Sequence, residues 1–276
     1  MTHVLHTGNL YIDQYVSIER FPNIEQNVNG SQLGKYLGAG FNSMKALVKQ
    51  GVEVSATSPI GTDANAKLAQ AIADRYGVHT LTHIEGNQGW DLVLLLPNGE
   101  KTFITLPGVE QKVFTSDITN NLKPLDTYDG LFLSGYSLLD PASLRVIDWI
   151  LSQWPSNKLT FLDLSPHISE FNDYIKTLIN YIINQNTITS GNQVESEVFR
   201  DFYGINPTVT RLGEKGCIYQ GKLIIGRPVK ATDTTGAGDA FNGTFFGQIL
   251  QGTDPIQACK LANAYAGKTV QQLGPN

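Results

Sequence analysis

Asp233-Thr234-Thr235-Gly236-Ala237-Gly238-Asp239-Ala240-Phe241 follows a strand-like run through Val229 and precedes a helical stretch over 240–250. Glycines just ahead of a helix let the chain curl so that successive N–H groups converge, where the helix dipole also favours negative charge. The stretch therefore reads as an anion-binding turn formed by Gly236, Ala237 and Gly238. Asp239 falls in the first turn of the same helix, where a carboxylate beside a bound anion is unfavourable unless it has a task. General base is the task on offer. Phosphoryl transfer asks a protein mainly to position groups and stabilise charge, and an anion hole with one adjacent carboxylate meets both needs. For the Gly-Ala-Gly turn alone, a plain tight turn with an N-capping aspartate is the competing reading.

Outward from this motif, short β-rich runs alternate with helical patterns. Candidate strands cover 3–7, 52–57, 92–96, 102–106, 130–133, 159–162, 187–189, 208–212, 217–220 and 222–225. Between them, Leu68, Ala71, Ile72 and Tyr76 share one helical stripe, as do Ile175, Leu178, Ile179 and Ile182. Asp140-Pro141 and Asp254-Pro255 each read as an N-cap followed by proline at the first helical position. Such alternation predicts an α/β fold, a doubly wound, mostly parallel sheet flanked by helices, in a single domain over 1–276. Two segments break the alternation, about 13–36 and about 88–107, the second with Leu96-Pro97-Asn98-Gly99-Glu100 as its hairpin turn. They predict a small β-sheet lid, or else extra edge strands of the main sheet.

The 276 residues are 41% hydrophobic and 16% charged, with 20 Lys+Arg against 25 Asp+Glu and a net charge of −5. No basic run exceeds a pair, so the electrostatic footprint of a nucleic-acid or anionic-membrane binder is missing. Any phosphate site must be local. No apolar run approaches the roughly 20 residues that span a bilayer, and the N-terminus lacks the pattern of an export signal. Cys217 and Cys259 have no metal or redox spacing, which suits a reducing cytoplasm, and the five histidines show no zinc-ligand spacing. Ala262–Thr269 ends in Gly-Lys-Thr like a P-loop, but it lies inside a helical run where a P-loop would need a strand-to-helix junction.

The nine-residue motif resembles the C-terminal signature of the ribokinase-like (PfkB) carbohydrate kinases. Leu37-Gly38-Ala39-Gly40-Phe41-Asn42 is similar to that family's Gly-Gly-x-Gly-x-Asn segment, and Gly8-Asn9-Leu10-Tyr11-Ile12-Asp13 to its first strand and substrate-binding aspartate. Asn192-Gln193-Val194-Glu195 resembles its Asn-x-x-Glu element, Leu212-Gly213-Glu214-Lys215-Gly216 its Gly-x-x-Gly turn, and Asn263 its helix-borne asparagine near the base. The matches keep family order from about residue 4 to residue 274. Singly, Asp13 reads equally well as a strand-end turn residue, Asn192 as a helix N-cap, and Gly213 with Gly216 as a hairpin turn; the ordered set weighs against these together.

The resemblance implies ATP and Mg2+ as cofactors, and a monovalent cation such as K+ whose site in relatives draws on backbone carbonyls. It implies that Asp13, Gly38 and Asn42 hold the sugar, that Asp239 takes the proton of the attacking hydroxyl, and that Gly236, Ala237 and Gly238 bind the transferred phosphoryl group. Asn192, Thr210, Gly213, Gly216 and Asn263 would form the nucleotide pocket, with Glu195 near the metal. Asp63, in a Gly-x-Asp turn, is expected to be structural. Three departures stand out: Leu37 replaces the first hinge glycine, Tyr11 replaces a smaller polar residue, and Lys101 stands where many relatives have arginine, which disfavours a substrate that already carries a phosphate. A homodimer through the lid would cover Val16, Ile18 and Phe21. A nucleoside kinase, with Tyr11, Trp90 and Phe103 as a wall for the base, is the alternative within the class, and a catalytically silent sensor the alternative outside it.

Overall fold

The computed structural model describes residues 1–272 and Gly274. Leu273, Pro275 and Asn276, in the stretch that follows the last helix, lie outside the described residues. In chain order the elements are β1 (His3–His6), β2 (Leu10–Ile18), β3 (Gly30–Ala39), α1 (Phe41–Lys49), β4 (Glu53–Ala56), α2 (Ala64–Tyr76) and β5 (Val78–Thr80). The chain continues through β6 (Trp90–Leu95), β7 (Lys101–Leu106), α3 (Thr115–Thr119), β8 (Gly130–Ser134), α4 (Pro141–Gln153), β9 (Leu159–Asp163) and α5 (Asp173–Ile183). It ends with β10 (Thr187–Asn192), α6 (Gln193–Tyr203), β11 (Val209–Arg211), β12 (Gly216–Tyr219), β13 (Lys222–Ile225), α7 (Ala237–Leu250) and α8 (Pro255–Thr269).

Nine strands form the main sheet in the order β13-β12-β11-β10-β9-β8-β1-β4-β5, parallel except for the pairings of β11 with β12 and β12 with β13. Alternate residues of the central strands feed two cores, one on each face. Val4, Phe132 and Phe161 pack with α1, α7 and α8, whereas Leu5, Leu131 and Leu162 pack with α4 and α5. Strands buried on both faces favour continuous apolar runs, as Leu131-Phe132-Leu133 of β8 shows; β1 is buried throughout as well, with His3 and His6 hydrogen-bonded to Ser55 and Ser43. The helices start where the sequence marks them. Asp63, Asp140 and Asp254 accept hydrogen bonds from the first free amides of α2, α4 and α8. The Gly-Lys-Thr run lies inside α8, so no P-loop forms.

The segments that break the alternation form a separate four-stranded sheet, β3-β2-β6-β7. It is mixed: β2 pairs parallel with β6 and antiparallel with β3, while β7 closes a hairpin on β6. Its exposed apolar residues differ from those the sequence suggests. Ile18 is buried and Val16 half-buried, because β2 is an interior strand with a neighbour on either side and a bulge between Tyr15 and Val16. Phe21 is exposed as expected, and the outer strands add Leu33, Phe103, Ile104 and Leu106. Among the described residues, no helix is long and apolar enough to cross a membrane.

Candidate active site

The carboxyl ends of β1, β9, β10 and β11 converge under the small sheet, beside the point where strand order reverses at β1, the usual place for a ligand crevice in such a fold. The amino end of α7 points into this crevice. Gly236 precedes the helix with φ 72°, a left-handed conformation open to glycine, and no side chain caps the helix. The Ala237 amide donates at 3.3 Å to the Thr234 carbonyl, so of the three amides assigned to the anion it already has a partner.

Asp239 sits in the first turn of α7, half-buried and hydrogen-bonded to the Asn42 side chain. Burial, reinforced by the Asp163 and Glu195 carboxylates, outweighs the Arg211 guanidinium and the Asn42 bond and lifts its carboxyl to about 7. On one side of it lie Asp13 and Asn42. Asp13, buried on β2, faces Asp91 across the β2–β6 pairing and Tyr36 across the β2–β3 pairing. Burial, with Asp91, Asp239 and Asp233 nearby, lifts Asp13 to about 8. Gly38 makes room for it: a methyl group there would lie 2.1 Å from Asp13 Oδ2. Asn42 is buried, and its Oδ1 has no hydrogen-bond partner. Tyr11 is not free to contact a ligand through its hydroxyl, which donates to Glu110 Oε1 at 2.6 Å.

On the other side a cavity of about 530 Å3 runs between α7, α8 and the β11–β12 turn. Asn192, Gly213, Gly216, Ala237, Gly238 and Asn263 line it, all assigned from sequence to the nucleotide or phosphate. Thr210 does not: its hydroxyl donates to Ser196 Oγ at 3.1 Å. Asn192 also caps α6 in a reciprocal box with Glu195, which is its N-cap reading, while lining the cavity. Sequence reasoning missed Arg211, which lines the cavity and forks between two carboxylates, Nη1 to Asp163 Oδ1 at 3.0 Å and Nη2 to Glu195 Oε2 at 3.1 Å. Its only signal was its place between Thr210 and the Gly213 turn. Asp163 was visible only as the residue after a predicted strand.

Glu195 is fully engaged. Its Oε2 accepts from the Asn192 amide and Arg211, and its Oε1 from Asn192 Nδ2 at 2.7 Å. Burial raises its carboxyl, opposed by Arg211 and the Asn192 amide. Among the described residues no group of three or more His, Cys, Asp or Glu side chains could hold a metal. A Mg2+ ion that keeps its waters, as that ion prefers, fits this donor set; a directly ligated one does not.

The small sheet is tied to the turn. Lys101 Nζ, at the start of β7, donates to Asp233 Oδ1 at 2.5 Å and to Thr235 Oγ1, and the Tyr15 hydroxyl on β2 donates to Thr235 Oγ1 at 3.2 Å. Burial would raise the Asp233 carboxyl, but its hydrogen bonds from Lys101 and from the Thr235 hydroxyl and amide hold it below the ordinary carboxylate range.

The model of the pfkB family carbohydrate kinases matches residues 1–276. A protein named "Uncharacterized sugar kinase YegV" from Escherichia coli is 26% identical over 260 residues, covering 86% of this chain and 78% of that protein. A ribokinase from Haemophilus influenzae is 25% identical over 294 residues, covering 97% of this chain and 92% of its own. Among solved structures, ribokinase from Thermotoga maritima superposes with a TM-score of 0.80 at 20% identity, covering 100% of this chain and 94% of that one. A Burkholderia thailandensis nucleoside kinase in complex with inosine gives 0.77 at 16% identity, covering 99% and 93%.

Proposed function

The chain belongs to the pfkB family of carbohydrate kinases, and from that premise we propose that it transfers the γ-phosphoryl group of ATP to a hydroxyl, a primary one, of a small sugar such as a ketohexose or pentose. The observation that carries this is the position of Asp239, in the uncapped first turn of α7 with the cavity on one side and Asp13 and Asn42 on the other. The sugar oxygen attacks the γ-phosphorus, its proton passes to Asp239, and ADP leaves with the electrons of the broken P–O bond. A carboxyl near 7 is partly ionised at neutral pH, as suits a general base.

Asp13, Gly38 and Asn42 orient the acceptor, and Gly236, Ala237 and Gly238 face the phosphoryl group. Asn192, Gly213, Gly216 and Asn263 shape the nucleotide pocket, with Arg211 added to them. Mg2+ bound to the phosphates would neutralise their charge, with Asn192 and Glu195 reaching it through its waters. Thr210 is a support for α6 through Ser196. The nucleoside alternative calls on Tyr11, Trp90 and Phe103 as a wall for the base, and of these Phe103, paired with Val93, shares the face of Asp13 and Asp91. Trp90 lies on the opposite face of the small sheet from Asp13 and Asp91 and packs against the core, while Tyr11 is held by Glu110. A second copy of the chain, covering Phe21, Leu33, Phe103 and Ile104, completes the reading as a homodimer.

The test is ADP release from Mg-ATP across ketoses, pentoses, amino sugars and nucleosides, on the native protein and Asp239→Asn. Turnover with one acceptor class should fall by roughly 10²- to 10⁴-fold in the variant while ATP still binds. Equal activity in both proteins removes Asp239 from the reaction. Sugar binding without any turnover in the native protein favours a sensor.

A further inference from the structure

The small sheet carries a second carboxylate on the acceptor side that the family motifs do not mark. Asp91 stands directly opposite Asp13 in the parallel β2–β6 pairing, so the two side chains share one face of the sheet. On its other flank Asp91 pairs with Thr105 of β7, and the Asp91 carboxyl bonds to the side chains of both Thr105 and Asp13. That engages only part of it: Asp91 Oδ1 is buried and has no partner. A buried acceptor without a donor costs roughly 1–3 kcal/mol, and such atoms in native structures call for an explanation. Asn42 Oδ1, on the buried residue whose side chain bonds Asp239 beside Asp13, is a second buried, unpartnered acceptor.

Charge narrows what can satisfy them. The groups acting on Asp13 are Asp91, Asp239 and Asp233, all acidic, and the nearby Lys101 is committed to Asp233 and Thr235. Two carboxyls this close do not both ionise without a cation, so the pair retains a proton and presents one donor among several acceptors. An anionic sugar would be repelled, whereas a neutral polyol supplies the hydroxyl donors that the free oxygens lack.

We propose that Asp91 is a specificity-determining residue: with Asp13 it forms a two-carboxyl clamp whose free Oδ1 accepts a hydroxyl of a polyhydroxylated sugar that carries no anionic group. This rests on the reading of the pocket as an acceptor site for a sugar.

Calorimetric binding without nucleotide tests the clamp independently of phosphoryl transfer. The probes are aldopentoses and ketohexoses, their monodeoxy derivatives, their phosphates and the matching amino sugars, against the native protein, Asp91→Ala and Asp91→Asn. One monodeoxy derivative should bind the native protein at least about tenfold more weakly than its parent. That penalty should vanish in Asp91→Ala while the penalties at other positions persist. Asp91→Asn keeps Oδ1 and gives Asp13 an N–H, so it should bind within about threefold of the native protein, and it also controls for folding. The proposal is overturned if the deoxy penalty survives in Asp91→Ala, if all derivatives weaken equally, or if a phosphorylated sugar binds best. A clamp that passes in a protein without turnover leaves the clamp standing and defeats the kinase reading. Asp239-dependent turnover with a failed clamp does the reverse, and no sugar binding at all defeats both.

Discussion

The two sides of the α7 amino end are built on opposite principles. Toward the cavity the least exposed charges are paired: Arg211 lies between Asp163 and Glu195, and Glu195 closes a box with Asn192. Toward the small sheet, carboxyls crowd together and oxygens of Asn42 and Asp91 stay without partners. The difference is one of paired against unpaired polar groups. On the proposed function it has a reason: a nucleotide's phosphates carry their own charge and counter-ion and suit groups fixed in advance, whereas an acceptor's hydroxyls suit acceptors left without a protein donor.

The largest effect should come from unpairing the paired side. Arg211→Met leaves two buried carboxylates without a cation, and about 3–5 kcal/mol should be lost in a denaturant titration, with Arg211→Lys recovering only part because it lacks the fork. An unchanged midpoint would mean that the ion pairs do not hold the site. On the unsatisfied side, Gly38→Ala pushes a methyl group into Asp13, and displacement worth about 1–3 kcal/mol should appear as an increase in KM for the sugar with little change in KM for ATP.

The third test is a pH slope. Asp13 binds a proton in the fold up to about pH 8 but loses it near 3.8 when unfolded, so the folded state holds more protons across that window. The ligand-free protein should lose stability as pH rises from about 4 to about 8. Asp239, raised to about 7, adds to the same slope, so in melting curves Asp13→Asn should reduce it without abolishing it, most clearly between about pH 7 and 8, and a slope unchanged by the substitution assigns it to other groups. Last is Lys101→Met, which cuts the tie between β7 and Asp233 and leaves a carboxylate only 6% exposed without its cation, so about 1–3 kcal/mol should be lost, the bonds from Thr235 limiting the damage. Its expected sign is faster amide exchange in β7 with a lowered melting temperature, and an unchanged temperature would mean that the tie does not hold the small sheet.

Much of this was legible in the sequence because local signals carried it. Asp63, Asp140 and Asp254 announce their helices through capping, and the strands of the small sheet betray themselves by the missing helices between them. Gly38, Asn42 and Asp239 were legible through one resemblance. Arg211, Asp163 and Asp91 were not, because each stands at or near the end of a strand and acquires its partner only when the sheets assemble. Asp13 and Asp91 face each other through a parallel pairing, and no turn in the sequence announces such a register. Ile18 failed for a related reason: its burial follows from the neighbours of β2, which its own side chain does not reveal.

That same parallel pairing orders events during folding. Ile12 meets Trp90 only after the chain has passed through β3, α1, β4, α2 and β5. If that stretch were slack, closing so long a loop would be entropically costly for the few contacts first made. Of it, α1, β4 and β5 belong to the main sheet and its helical layer, so once they pack, the ends of β2 and β6 already lie close together. The β2–β3 and β6–β7 hairpins are local, so only the seam between them depends on that packing. The β2–β6 contacts become affordable once α1, β4 and β5 are in place, so the face on which Asp13 meets Asp91 is expected to form after them.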